Sequence, residues 1–210
     1  MLAHRAARML LYPLYRLLEH PWGYALNQRI GRPTTERYRE LVVRNVPPSP
    51  ARLVLDIGCG VGGFRDCFHG DYFGIDINQD YVRDASNRHP GRYSAMDATQ
   101  LGFRDASFDD VVSIATTHHL DDAQVVGLVR EASRVCKPGG IVHIVDAILP
   151  MSPILLFKRT WFRLDRGAYP RALEHILRLA THGGKILRHE TKMGPLHDVV
   201  YLAIAGGPSA

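Results

Sequence analysis

From residue 51 onward, short apolar runs alternate with stretches whose polar and apolar positions follow a helical period. "RLVLDI" (52–57), "DYFGIDI" (71–77), "GRYSAMD" (91–97), "FDDVVSIAT" (108–116) and "GIVHIVDAI" (140–148) predict five strands. Between them, a helix is expected to start near Gly62 to Phe64, and Asn78 to cap a second over "QDYVRDASNRH". Asp121 or Asp122 caps a third, "AQVVGLVREASRVC", which ends where "KPGG" (137–140) forbids continuation. Further on, helical segments are expected near 151–164 and 170–182. "GKILRHETK" and "LHDVVYLAI", joined by a Gly-Pro turn at 194–195, predict an antiparallel hairpin at the sheet edge. Strands spaced by helices predict a doubly wound α/β sheet, with its ligand at the carboxyl ends of the central strands.

The first 46 residues follow a different pattern. "LAHRAARMLLYPLYRLLE" (2–19) reads as a helix, with Arg5, Arg8, Arg16 and Glu19 on one side and a broad stripe of Leu and Met on the other. Pro13 kinks it or begins a second helix. "HPWGYALNQRIGRP" carries Pro, Gly and Asn breakers, and Thr34 or Thr35 caps a helix through about Asn45. "PPSP" (47–50) marks the junction. The expected organisation is a helical cap over 1–46 and a ligand-binding domain over 47–210. That domain would carry a helical cover at 148–183 and an edge hairpin at 184–205.

Composition adds limits. The 210 residues suit one domain with small additions, and 46% hydrophobic with 22% charged residues is ordinary for a globular chain. Cys59, Cys67 and Cys136 have neither C-x-x-C spacing nor an even count, which points to core thiols of a reducing compartment. No run of about 18 apolar residues spans a membrane. No cleavage site follows the N-terminal run, so the expected location is cytoplasmic, with peripheral membrane association open. The net charge of +5 hides a division: 1–46 carry +5, 47–150 carry −5 and 151–210 carry +5. The basic flanks fit solvated helix faces, a pocket rim or a membrane surface.

The chemistry concentrates in "LVLDIGCGVGGF" (53–64). Gly58, Gly60 and Gly63 spell the dinucleotide fingerprint G-x-G-x-x-G, whereas Asp56 with Gly58, Gly60 and Gly62 spells D-x-G-x-G-x-G, which cradles S-adenosylmethionine. Charge separates the two. A carboxylate about 5 Å from a pyrophosphate is repelled by several kcal/mol at an effective dielectric near 20. Beside an ammonium and a sulfonium the same carboxylate is an asset. Asp76 ends the second strand, where a carboxylate accepts ribose hydroxyls of either cofactor, and Asp97 ends the third, within reach of an adenine amino group.

"VLDIGCGVGG", "GIDIN", "MDATQLGFRDASFDDVVSI", "HHL" and "VCKPGGIVHIVD" together resemble, in order and spacing, the class I S-adenosylmethionine-dependent methyltransferases, and most closely their type 11 small-molecule group. The resemblance covers roughly 51–147. It implies a seven-stranded Rossmann-like sheet in the order 3-2-1-4-5-7-6, with the last hairpin antiparallel. It also implies S-adenosyl-L-methionine as cofactor: Asp56, Gly58, Gly60 and Gly62 at its methionine end, Asp76 and Ile77 at the ribose, and Asp97 and Ala98 at the adenine. Ala115 would line the same site and Tyr24 would cover it.

His118 and His119, just past the fourth strand, are the candidate bases for an acceptor that must lose a proton. Asp146, Arg163, Arg166 and His197 are candidates for the acceptor pocket, and Asn27 for the cofactor cover. The acceptor implied is a small or lipid-like molecule, with O-, N- or C-methylation open. RNA or protein is the alternative, but the basic segments lack the aromatic and Lys/Arg clusters of single-strand binders, so nucleic acid is disfavoured. No metal site is expected.

Overall fold

The computed structural model describes residues 32–149, 169–193 and 198–207. Expectations for the segment 2–31, including Tyr24 and Asn27, for 151–164 with Arg163, and for Arg166 and His197 lie outside them.

Every expected strand forms. In chain order the elements are α1 (Arg32–Asn45), β1 (Leu53–Ile57), β2 (Asp71–Asp76), α2 (Gln79–Arg88), β3 (Arg92–Ala95), β4 (Phe108–Ile114), α3 (Asp122–Val135), β5 (Cys136–Ile148), α4 (Leu173–Ala180), β6 (Ile186–Lys192) and β7 (Asp198–Ala205). They build one sheet in the order β3-β2-β1-β4-β5-β7-β6. β1 to β5 pair in parallel, and β7 runs antiparallel to both β5 and β6.

The apolar runs are nearly continuous because both faces of the sheet are covered. On one face, Leu55, Ile57, Val111, Val142, Leu202 and Ile204 pack with Val125, Leu128 and Val129 of α3 and Ile176 of α4. On the other, Val54, Val112, Val145, Val199 and Tyr201 pack with Tyr38, Leu41 and Val42 of α1 and with Phe64, Phe68 and Tyr72. Alternation along each strand sends neighbours such as Val111 and Val112 to opposite layers.

The caps form where the sequence puts them. The Asn78 side chain accepts from the Asp80 and Tyr81 N–H groups. Asp121 and Gln124 form a reciprocal capping box on α3. α1, in contrast, already runs at Arg32, so Thr34 and Thr35 lie inside its first turns and not at its cap.

Two further expectations change. α3 ends at Val135, just before "KPGG" as expected, but β5 begins at Cys136 and not at Gly140, so "KPGG" lies within it as an irregularity, with Phe108 opposite Cys136 but Asp110 opposite Ile141. Gly139, at φ +83°, supplies the left-handed residue this detour needs.

More consequentially, no α-helix follows β1. The chain turns from Val61 to Phe64 and makes one 3-10 turn, Arg65–Cys67, before entering β2 at Asp71. Six residues between Gly63 and Gly70 are too few for a helix that must also return the chain to the start of a parallel strand.

Candidate functional site

The β1–β2 register sets Ile57 opposite Ile75, so the glycine loop leaves β1 beside the end of β2. The Gly58 and Cys59 N–H groups donate to the Ile75 carbonyl at 2.8 and 2.9 Å. Gly58, Gly60 and Gly62 adopt φ of +80°, +55° and +78°, the left-handed region that disfavours any side chain. A Cβ at Gly58 would overlap the Thr116 side chain, and one at Gly62 would lie 2.7 Å from His89. Gly63 is different. Its φ is not left-handed and a Cβ there meets nothing within 4 Å.

These glycines decide between the two readings of the loop. The third glycine of a dinucleotide fingerprint serves close packing of a helix, and that helix's N-terminus holds the pyrophosphate. Here there is no helix after β1, and Gly63 has no packing to serve. The glycines that are structurally required belong to the Asp56-Gly58-Gly60-Gly62 pattern.

One of the strand-end carboxylates, Asp76, contacts this loop directly. Asp76 accepts from the Gly60 N–H at 3.0 Å and the Asn78 N–H at 2.8 Å, which fixes its orientation at the end of β2. Burial raises its pKa despite these bonds. Ile77, next to it, is 75% exposed, an apolar surface offered at the mouth of the site. Asp97 is exposed, and its Oδ1 accepts from the backbone N–H and hydroxyl of Thr99, both at 2.7 Å. Those bonds hold its pKa below the ordinary value and leave Oδ2 for a ligand. Ala98 tucks half-buried against the core.

Asp56 sits deeper than its motif position implies. It is buried, its Oδ2 accepts from the Tyr72 hydroxyl at 2.7 Å, and its buried Oδ1 has no partner among the described residues. Burial pushes its carboxyl up to about 7, against the Tyr72 bond and with help from the Asp76 charge. An uncompensated carboxylate behind the loop favours a cationic ligand in front of it. The residues present therefore fit the sulfonium and ammonium of S-adenosylmethionine better than a pyrophosphate.

A second cluster follows β4. Ala115, at φ +53°, turns the chain sharply out of the strand, while its N–H donates to the Val145 carbonyl. Thr116 then packs on Gly58, so the 3-10 turn Thr117–His119 begins where the cofactor loop begins. His118 Nδ1 lies 2.6 Å from Asp146 Oδ1, with both residues buried. The Thr117 hydroxyl and the His118 N–H donate to Asp146 Oδ2, and the Ala147 N–H to Oδ1. Burial alone would raise the Asp146 pKa; the His118 charge and these hydrogen bonds overcome it and hold the carboxyl low. Asp146 thus lies beneath the histidine, and not at the pocket rim where the sequence put it. His119 is exposed, its ring centroid 4.0 Å from that of His118.

Arg171 was not anticipated. Buried just before α4, it donates to the carbonyls of Thr117 and Leu120 and pairs with Asp122, stapling the histidine turn to α3. The Tyr169 N–H donates to the His118 carbonyl from the same segment. A lone arginine far along the chain gives no sequence signal for this. The Thr-His-Asp contact had a faint one, because polar residues at the ends of two adjacent strands must meet. Among the described residues no cluster of His, Cys, Asp and Glu fits a metal ion.

A family model described as "Methyltransferase domain" matches residues 55–144. The chain is 37% identical over 105 residues to 2-methyl-6-phytyl-1,4-hydroquinone methyltransferase of Synechocystis, covering 46% of this chain and 32% of the relative. It is 31% identical over 158 residues to 27-O-demethylrifamycin SV methyltransferase of Amycolatopsis mediterranei, covering 65% and 56%. The chain thus spans about a third to a half of these relatives' lengths. In fold it is similar to a crystal structure described as a SAM-dependent methyltransferase of Methanosarcina mazei, with TM-score 0.68, 20% identity, and coverage of 80% of this chain and 98% of that one.

Proposed function

From a chain that belongs to the class I S-adenosylmethionine-dependent methyltransferases, we propose an enzyme that methylates a small or lipid-like acceptor carrying a hydroxyl or an acidic carbon. The observation that carries the acceptor class is the buried His118–Asp146 pair. A neutral amine needs no base, whereas a hydroxyl or carbon acid must lose its proton as the new bond forms.

When bound, S-adenosylmethionine supplies a methyl group already activated by its sulfonium. The protein's task is alignment and proton removal. Asp76 and Ile77 would meet the ribose side of the cofactor, Asp97 Oδ2 and Ala98 the adenine, and the glycine loop the methionine end. Ala115 would line the same site, one residue before the Thr116 that packs on Gly58. His118 is the catalytic residue: with Nδ1 committed to Asp146, proton transfer from the acceptor passes through Nε2. Asp146 is a positioning residue that fixes the ring and stabilises the imidazolium that forms. His119 serves the acceptor pocket from its exposed place.

The relatives support a small or lipid-like acceptor, since one is named for a hydroquinone and another for an O-demethylated rifamycin, and sterol C-methyltransferases also match. The test is methyl transfer from methyl-labelled S-adenosylmethionine to a panel of hydroquinones, phenols and primary amines. Labelled hydroquinone or phenol with unlabelled amine is the expected result, and label in amines alone would refute the proton-removal reading.

The lipid-like option adds peripheral membrane binding through the Arg- and Leu-rich segment 2–19. Among the described residues no helix is long and apolar enough to cross a membrane. The full chain is expected to pellet with anionic vesicles at low salt and to lose this on deletion of 1–18. Absence of pelleting at low ionic strength would leave a water-soluble acceptor.

A further inference from the structure

The short β1–β2 connection leaves the cofactor loop without the helix that would ordinarily hold it. A continuing α-helix would return the Gly63 carbonyl to a backbone N–H four residues on. The 3-10 turn stops short of this: the Arg65 N–H goes to Gly62, Cys67 to Phe64, and Phe68 to Arg65.

The Gly63 carbonyl is taken instead by Arg39 of α1, from 24 residues upstream. The same guanidinium pairs with Asp66 at 2.6 Å, donates to the Cys67 thiol at 3.4 Å and sits 5.5 Å from the centre of the Phe64 ring. Tyr38, the preceding residue, meets that ring edge-on at 6.4 Å. α1 therefore grips the far end of the glycine loop at four sites, Gly63, Phe64, Asp66 and Cys67, and lies in the layer that a crossover helix would share.

We propose that Arg39 is a positioning residue for the cofactor: it anchors the Gly58–Gly63 loop to α1 in place of the missing crossover helix, so that the N-terminal helix and the cofactor loop become ordered together. This rests on the reading of that loop as an S-adenosylmethionine site. The guanidinium suits the role because one planar fork bonds a carbonyl and a carboxylate at once, and Asp66 offsets its charge behind a loop that faces a cation. The coupling is reciprocal by necessity, so a ligand on the loop must tighten α1 as much as Arg39 tightens the loop.

The test uses the full chain and S-adenosylhomocysteine, with affinity by calorimetry and backbone protection by hydrogen exchange. Losing a charge-assisted hydrogen bond should weaken binding of Arg39→Ala by about tenfold or more. Arg39→Lys, which keeps the charge and one donor, should recover part of it. In the wild type the ligand should slow exchange in α1 as well as in 58–67, and in Arg39→Ala only in the loop. Should Arg39→Ala fail to fold, Arg39→Gln carries the same comparison. Equal affinity in wild type and a folded variant, or ligand protection of α1 that persists without the guanidinium, would overturn the proposal. A wild-type chain that binds no S-adenosylhomocysteine would instead remove the cofactor reading, and the proposal with it.

Discussion

His118 Nδ1 stands 2.6 Å from the buried carboxylate of Asp146, across the ends of β4 and β5. The contact exists because Ile114 is registered opposite Val145, so the turn just beyond β4 lies beside Asp146 near the end of β5. If this pair removes the acceptor's proton, His118→Ala should lower kcat by about 10²- to 10⁴-fold with little change in cofactor affinity. Asp146→Asn should also lower kcat strongly, since it loosens the ring and weakens support for the imidazolium. His119→Ala, at an exposed position, should cost less than about tenfold. Steady-state rates with a phenolic acceptor check all three, and a larger loss at His119 than at His118 would reverse the assignment.

The glycine loop offers a paired substitution. Gly58→Ala must relieve both a left-handed φ and an overlap with Thr116, and should destabilise the protein by about 1–3 kcal/mol while abolishing cofactor binding. Gly63→Ala meets open space and should leave both properties unchanged. Denaturation and calorimetry on the two variants check this. Equal damage at Gly63 would restore the dinucleotide reading of the motif.

Asp56 gives a pH dependence with a definite sign. Its native carboxyl is raised to about 7, so between about pH 4 and 7 the folded protein holds a proton that the unfolded chain has released. That contribution to stability is full below about pH 4 and is lost as pH rises through 7. Asp56→Asn should flatten this slope and raise stability at pH 8 by roughly 1–3 kcal/mol. A cationic ligand favours the ionised form, so wild-type affinity for S-adenosylmethionine should increase from pH 6 to 8, with proton release on binding. Calorimetry in buffers of different ionisation enthalpy reads that release, and proton uptake would contradict the placement of the charge.

Much of the fold was legible because it depends on local pattern. Buried parallel strands write themselves as runs such as "RLVLDI", and Asn78 and Asp121 cap helices by chemistry contained within four residues. The seven-strand order came from the motif resemblance and agrees with the pairing found. The helix expected after Gly62 did not form, because the composition near Phe64 permits a helix and only the distance to β2 forbids it. Placement was legible where it follows from a strand end, as for Asp76 at the last residue of β2 and Asp97 two residues past β3. Asp146 was placed at the right end of β5 but at the wrong depth, since burial depends on the turn that folds over it. Arg39 and Arg171 act through contacts 24 to 54 residues away along the chain, and nothing in their neighbours announces it.

Calorimetry of the 210-residue chain with S-adenosylhomocysteine and with NADH tests the central claim most directly. Three left-handed glycines beside Asp56, with no helix to receive a pyrophosphate, predict binding of S-adenosylhomocysteine and negligible binding of NADH. Tight NADH binding without binding of S-adenosylhomocysteine would contradict the account.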